Sequence, residues 1–447
     1  METPLQPLTR LFQSNTARLV TVGVLTLVLL IPLLFVQNLI EERRQRQQQV
    51  VRETSGKWGK SVFFYGPIIK VPYRIFTETV SVNEKTNETT VQKIPQTQYA
   101  YFFPETLRNK SFVKTSLLRR NQYESVVYTG NMAFDGTYAM PDFSAAVIAP
   151  TDIRWDKATV MVRTSNMKSI RDAVSIHIGG KKYTFEPRYS EQKDSVATLE
   201  TGPIDAKALT GNTPLNFNFN MVYNGSRQLR IVPIGKTTQV HIASNWASPG
   251  FTGHFLPADA TKQITANGFA ADWKILHINR AFPQQSFGTL PELGDFAFGV
   301  DFIIPVNEYQ QNERAAKYGF LVIGLTFLIF FLIQVISKVR IHIFQYTMIG
   351  LALVMFYTLL VSITEHSSFL TAYIIASACV VAMIGLYSVS ILKGRKFPLF
   401  IAASLSALYG FIYVIIQMEN YALLMGSIGL FAILAAVMYA SRKIDWT

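Results

Sequence analysis

The 447-residue chain carries 42 Lys or Arg against 29 Asp or Glu, a formal charge of +13, and 49% of its residues are hydrophobic. Charge is concentrated between residues 41 and 317 and nearly absent from long stretches outside that interval, which excludes a single water-soluble globule. The only cysteine, Cys379, excludes an internal disulfide.

Crossing ~30 Å of hydrocarbon takes about 20 largely apolar residues at ~1.5 Å each. The first stretch of that kind is Leu19 to Ile40, "LVTVGVLTLVLLIPLLFVQNLI", with a kink predicted at Pro32. It is too long for the apolar core of a signal peptide and leads into "EERR" rather than a small-residue cleavage site, so it reads as a retained anchor. "EERRQRQQQVVRET" then continues the helix as a polar stalk.

Residues 41–317 read as one β domain with this stalk at its N-terminal end, large enough to hold itself together by packing alone. "PLNFNFNMVYNG" alternates Leu215, Phe217, Phe219 and Met221 with three asparagines and reaches Asn224-Gly225, a turn dipeptide that predicts a hairpin. "AVSIHIGGKKYTFEP" around Gly179-Gly180 and "QLRIVPIGKTTQVHIAS" around "PIGK" have the same design. With "SVVYTGNMAFDGTY", "ATVMVRTS" and "FAFGVDFIIPV" there are strands enough for a sandwich or two packed sheets. Asn87, Asn109 and Asn224 head N-x-S/T triplets, read as chance matches.

Five further apolar stretches close the chain, at about 318–337, 343–364, 369–392, 397–417 and 421–440, joined by short links that make neighbours antiparallel. The seven Lys and Arg beyond Tyr318 (Lys338, Arg340, Lys393, Arg395, Lys396, Arg442, Lys443) all fall in alternate links or the tail, whereas "TEHSS" and "QMEN" have none. The positive-inside rule puts the basic face in the cytoplasm, and Glu365, His366, Glu419 and the β domain on the outer side. Arg43, Arg44 and Arg46 after the first span, against Arg10 and Arg18 before it, oppose this locally, but large domains translocate largely regardless of flanking charge. Six spans with both termini cytoplasmic result.

Signatures of chemistry mostly fail. "SGKWGKS" would need glycine at position 54 to be a phosphate loop, and Thr54 stands there. There is no G-x-S-x-G or H-E-x-x-H, and the six histidines are scattered, His241 reading as a strand residue rather than a metal ligand. Residues 41–317 hold 33 Lys or Arg and 25 Asp or Glu, spread without an aromatic-basic motif, which excludes nucleic acid and suits anionic lipid or other envelope polyanions. The spans carry Ser, Thr, Tyr and amides such as Ser377 and Gln334 at mid-depth but no ionisable group, unlike a proton-coupled pump. No catalytic, cofactor or metal residue is assigned. Glu365 and His366 form a turn between two spans, either solvated or docking the β domain on the bundle.

Several long stretches resemble the CreD family of bacterial inner-membrane proteins: "YGPIIKVPY" (65–73), "YTG" (128–130), "SNWASPGFTGHFLPADATKQITANGFAADW" (244–273), "RAAKYGFLVIGLTFLIFFL" (314–332), "QYTMIGLALVMFYTLLVSITEHSSFLTAYIIAS" (345–377) and the terminal "IDW". The resemblance implies an inner-membrane protein with a periplasmic β domain, associated with envelope integrity, colicin tolerance and the response to cell-wall-directed antibiotics, with no established catalytic activity. Where the family commonly has Glu at the end of the second helix and His-Pro before the third, this chain has Gln334 and His342-Ile343. Glu365, His366, Asn245, Trp246, Arg314 and Lys317 fit the family pattern and are the candidate contacts between domain and bundle. The expected role is a non-enzymatic integrity factor whose partners are the bilayer, envelope proteins or envelope polyanions. A transporter or flippase component, or an intramembrane hydrolase, is the alternative.

Overall fold

The computed structural model describes residues 15–442 apart from 83–88, 121–122, 147, 189–195, 212, 305–307, 338, 340, 393 and 419–420. Arg10, Asn87, Lys338, Arg340, Lys393, Glu419, Lys443 and the terminal "IDW" lie outside the described residues. The chain divides into a helical unit, Met1–Gln49 with Val306–Thr447, and a β unit, Val50–Pro305. Glu41–Gln49 of the stalk and the residues after Pro305 group with the helices.

Helix α1 (Asn15–Trp58) runs without interruption from the apolar stretch through the polar stalk. The β unit then contributes β1 (Val62–Val82), β2 (Thr89–Phe102), β3 (Thr106–Arg120), β4 (Tyr123–Tyr138), β5 (Thr159–Thr164), β6 (Ser175–Ile178), β7 (Lys181–Arg188) and β8 (Ala197–Thr201). After the single turn α2 (Ala206–Thr210) come β9 (Leu215–Ser226), β10 (Gln228–Ile231), β11 (Thr237–Ser244), β12 (Pro249–Gly253), β13 (Gln263–Thr265), β14 (Gly268–Leu276), β15 (Gln285–Phe287) and β16 (Phe298–Phe302). The strands follow one path, β12-β16-β10-β1-β5-β8-β7-β6-β9-β4-β3-β11-β14-β13, with β2 and β15 branching from β1. Strand β7 is the corner: Lys181–Thr184 pair with β6 and Phe185–Arg188 with β8, so it serves both sheets of the sandwich.

The two inner faces meet through aromatic side chains. Phe64 of β1 lies 4.8 Å from Phe134 of β4, which stacks on Phe219 of β9 at 4.6 Å, and Trp273 of β14 meets Phe298 of β16 at 5.5 Å. Period-two alternation produces this: Leu215, Phe217, Phe219 and Met221 are buried while Asn216, Asn218 and Asn220 face outward. Buried aromatic pairs contribute about 0.5–1.5 kcal/mol each beyond their area. The Gly179-Gly180 turn between β6 and β7 forms as expected, both residues at positive φ. Asn224-Gly225 does not turn: it continues β9 opposite Thr129 and Tyr128, and past Arg227, φ 63°, the chain enters β10, which pairs with β1 and β16 in the other sheet. Glycine is needed at 225 because a Cβ would strike the Tyr128 ring, whose hydroxyl donates to Gln228 O at 2.6 Å. Asn109 and Asn224 are buried in strands, with Asn109 Nδ2 donating to Ala133 O, which gives both triplets a packing role.

The helical unit adds α3 (Glu308–Lys317), α4 (Gly319–Ser337), α5 (Ile343–Thr364), α6 (Phe369–Ile391), α7 (Lys396–Gln417) and α8 (Ala422–Ser441). Among the described residues six helices, α1 and α4–α8, are long and apolar enough to cross a membrane. Phe327, Phe330, Leu353, Phe356 and Tyr357 are buried in their common core. No part of the most apolar stretch of α8 is buried, and Leu423, Phe431 and Leu434 there are exposed. A helix apolar on every side belongs in lipid.

Candidate functional site

Ten residues after the β unit, Glu308–Lys317, form the amphipathic α3, whose Tyr309, Asn312, Ala315 and Ala316 are buried. Its polar side chains join the first residues of the stalk in an ionic collar. Arg44 of α1 reaches Glu313 of α3 at 3.9 Å and Glu41 at 2.8 Å, and Glu313 also pairs with Lys317 at 2.8 Å. Gln37 Nε2 donates to Ala316 O at 3.2 Å, tying α1 to the end of α3.

Glu365 is the C-cap of α5, where a carboxylate faces the negative end of the helix dipole. The neighbouring Arg43 offsets this, its Nε 3.3 Å from Glu365 Oε1. The Glu365 side chain is 18% exposed and that of Arg43 43%, so the pair is half-screened and worth at most about 1 kcal/mol. Next to it the buried Thr364 donates back to Leu360 O and lies 3.4 Å from Asn312 Oδ1. Arg314 Nη1 donates to Ile416 O at 3.4 Å, placing a cation on a last-turn carbonyl of α7, the favourable sense of the dipole. His366 closes the turn through its backbone, N–H to Ile363 O at 3.0 Å.

Of the six candidates, the structure therefore brings Glu365, Arg314 and Lys317 into one collar, with His366 beside it. Asn245 and Trp246 are engaged inside the β unit. Asn245 Oδ1 accepts from Thr115 N at 2.7 Å and from Thr115 Oγ1 at 2.9 Å, while its Nδ2 donates to Thr115 O at 3.1 Å, locking the end of β11 to β3. Trp246 Nε1 donates to Ser248 O at 3.1 Å and Ile303 O at 2.9 Å. The partners that sequence reasoning missed are Arg43, Arg44, Glu313 and Asn312. "EERR" directly after the first span was read as part of a polar stalk, and "EYQQNERAAK" has too little apolar signal to mark Asn312 and Glu313.

Gln334 is buried at the other end of α4 and accepts from Tyr346 Oη at 3.0 Å. Between the two ends Tyr373 Oη donates to Tyr409 O at 2.8 Å, inside a cluster in which the Phe356 ring lies 4.5 Å from that of Tyr409. Within α4–α8 the only Asp, Glu, Lys or Arg is Lys396, the first residue of α7. Among the described residues no three His, Cys, Asp or Glu stand close enough together to hold a metal.

The family model described as Inner membrane protein CreD matches residues 14–447. Inner membrane protein CreD of Escherichia coli (strain K12) is 29% identical over 431 residues, covering 94% of this chain and 91% of that protein.

Proposed function

Because the chain belongs to the CreD family of inner membrane proteins, we propose that it serves as a non-enzymatic envelope-integrity factor, with its β unit in the periplasm and both termini in the cytoplasm. The observation that carries this reading is the way polar groups are distributed in the helical unit. Asn312 with Thr364 and Gln334 with Tyr346 are hydrogen-bonded pairs at separate ends, and aromatic packing around Phe356 and Tyr409 lies between them. A transporter or flippase would need polar or ionisable groups that persist along a route, and an intramembrane hydrolase would need a base at the depth of its nucleophile. Paired polar groups at the ends of a packed bundle suit a platform. The one-sided basic links and the resemblance to envelope-integrity proteins support the orientation and the role.

The orientation is tested in a Cys379→Ser background by placing single cysteines at Ser367 and at Gly394 and applying a membrane-impermeant thiol reagent to intact spheroplasts. Labelling at 367 with protection at 394 is expected, and the reverse pattern overturns the orientation. The role is tested by deleting the gene and challenging cells with a cell-wall-directed antibiotic: sensitivity, restored by the full chain, is expected. Unchanged tolerance overturns the role.

A further inference from the structure

Within the β unit, one sheet carries a cleft lined by residues of several strands. Strands β2, β1, β5, β8 and β7 lie side by side there, and period two brings alternate residues of each to the same surface. Lys70 of β1 is opposite Tyr101 of β2 on one side and Thr159 of β5 on the other. Arg163 of β5 is opposite Thr198 of β8, itself opposite Arg188 of β7. A register shift in β1 between Tyr65 and Ile68 bends the floor beside Arg163. The resulting cleft has a volume of about 680 Å³, within the range of small-ligand sites.

Its lining is unequal in charge. Among the described residues, Lys70, Lys157, Arg163 and Arg188 line it together with one carboxylate, Glu200. Glu200 shares its face of the sheet with Glu186, which lies outside the lining. Glu200 is 6% exposed and already saturated: Lys70 Nζ lies 3.3 Å from Oε1, Arg188 Nε donates to Oε2 at 3.2 Å, and Thr159 Oγ1 donates to Oε1. It acts as a fixed anchor that holds Lys70 and Arg188 in place, and among the described lining residues cations outnumber carboxylates four to one. The wall beside these cations is aromatic and apolar, made by Tyr99, Tyr101, Pro72 and Leu290. Lys70 Nζ sits 4.3 Å from the centre of the Tyr99 ring, which is 37% exposed. Burial raises the Tyr101 phenol, so its hydroxyl stays a neutral hydrogen-bond donor.

We infer that this cleft binds an anionic saccharide, its phosphate or carboxylate among Lys157, Arg163 and Arg188 and the apolar face of its ring against the tyrosine wall. Cations alone would suit any anion, but an aromatic wall in the same cleft selects one carried on an amphipathic ring. A peptide is less well served. At this level β1, β5 and β8 are hydrogen-bonded on both sides, so the floor offers no strand edge for an extended chain to join. The inference concerns the cleft alone and does not depend on which side of the membrane the β unit occupies.

The test is calorimetric titration of the full-length protein in detergent with N-acetylglucosamine 1-phosphate, N-acetylglucosamine, inorganic pyrophosphate and polyglutamate. The sugar phosphate is expected to bind saturably and at least tenfold more tightly than the neutral sugar. Lys157→Glu, at an exposed position, and Arg163→Gln should each weaken it at least fivefold with an unchanged circular dichroism spectrum. Tyr99→Ala should weaken the sugar phosphate and leave pyrophosphate as before, and Arg108→Gln, on the other sheet, should change neither. A lipid-linked sugar phosphate in nanodiscs identifies the source: tighter binding than the free compound points to a membrane glycolipid and equal binding to a soluble glycan, and either sustains the site. Absence of saturable binding, indifference to the cleft substitutions, or pyrophosphate binding as tightly as the sugar phosphate would overturn the inference. Tighter binding of polyglutamate would overturn it in favour of a peptide ligand. Spheroplast labelling can succeed while this titration fails, or the reverse, so the two proposals stand or fall separately.

Discussion

The two units solve the same problem with their solvents exchanged. In the β unit the inside is apolar and the outside polar, as the alternation of buried Phe217 and Phe219 with exposed Asn216, Asn218 and Asn220 shows. In the helical unit the outside is apolar as well, with Leu386, Leu423 and Phe431 more than 70% exposed, and what distinguishes the interior is a few polar pairs. Apolar burial against water drives the first, whereas lipid is as apolar as leucine and leaves packing and hydrogen bonds to hold the second. Stability is therefore concentrated in different residue types in the two units.

The largest expected effect is at the aromatic centre of the β unit. Phe64→Ala removes a fully buried ring from the Phe134 and Phe219 stack and should cost about 3–5 kcal/mol, read as a lower denaturation midpoint by near-ultraviolet circular dichroism of the full-length protein. Phe431→Ala on α8, a ring of equal size but 74% exposed, should change stability in detergent by no more than about 0.5 kcal/mol. Equal losses would break the comparison.

A polar substitution comes next and sharpens it. Arg280 is 6% exposed in the β unit, and burial pulls its guanidinium down to about 10, still charged at neutral pH. Carbonyls at Phe282, Ile234 and Gly235 and the Gln284 amide oxygen receive its donors, and its guanidinium lies 3.9 Å from the Phe282 ring centre. Arg280→Met leaves those buried acceptors unmatched and should cost about 3 kcal/mol, followed by hydrogen exchange at residues 232–236. Full protection of that loop in the variant would show that the arginine does not clamp it.

In the helical unit Gln334→Leu or Tyr346→Phe should each cost about 1–2 kcal/mol, and the double change less than their sum, in a denaturation cycle in mixed micelles. Strict additivity would mean that the pair does not couple. The smallest effect belongs to the collar: Glu365→Gln should cost less than about 1 kcal/mol and the loss should vanish in 1 M salt. Replacing Glu365 with Ser and His366 with Asn together should leave membrane abundance near wild type on immunoblots. A collapse in abundance would give the turn a role larger than its charges explain.

How far the sequence was legible follows from the length scale of each signal. Period two along "LNFNFNM" and apolar runs of span length are local, so the sandwich and the apolar helices could be read directly. Asn224-Gly225 misled because the dipeptide favours a turn by itself, whereas Tyr128, far away in sequence, requires the glycine within a strand. Arg43 and Glu365 lie so far apart in the chain that nothing short-range announces their pairing. Helix α3 was hidden for another reason: ten residues with two Glu and two basic side chains have little apolar signal, and its partners are the stalk and the other helices. The cleft is the extreme case, since its cations come one at a time from β1, β5, β7 and the turn before β5.

The parallel pairing of β1 with β10 joins Val62 to Leu229. A ribosome adding about 5–20 residues each second needs on the order of ten to thirty seconds to deliver that partner. During the interval the downstream part of β1 can close on β2 as a local hairpin, but Val62–Phe64 at its start wait with one edge bare. Birth of this chain thus includes a window in which a sticky strand follows the first apolar helix unpaired, and the order of synthesis makes β10 the piece that ends it.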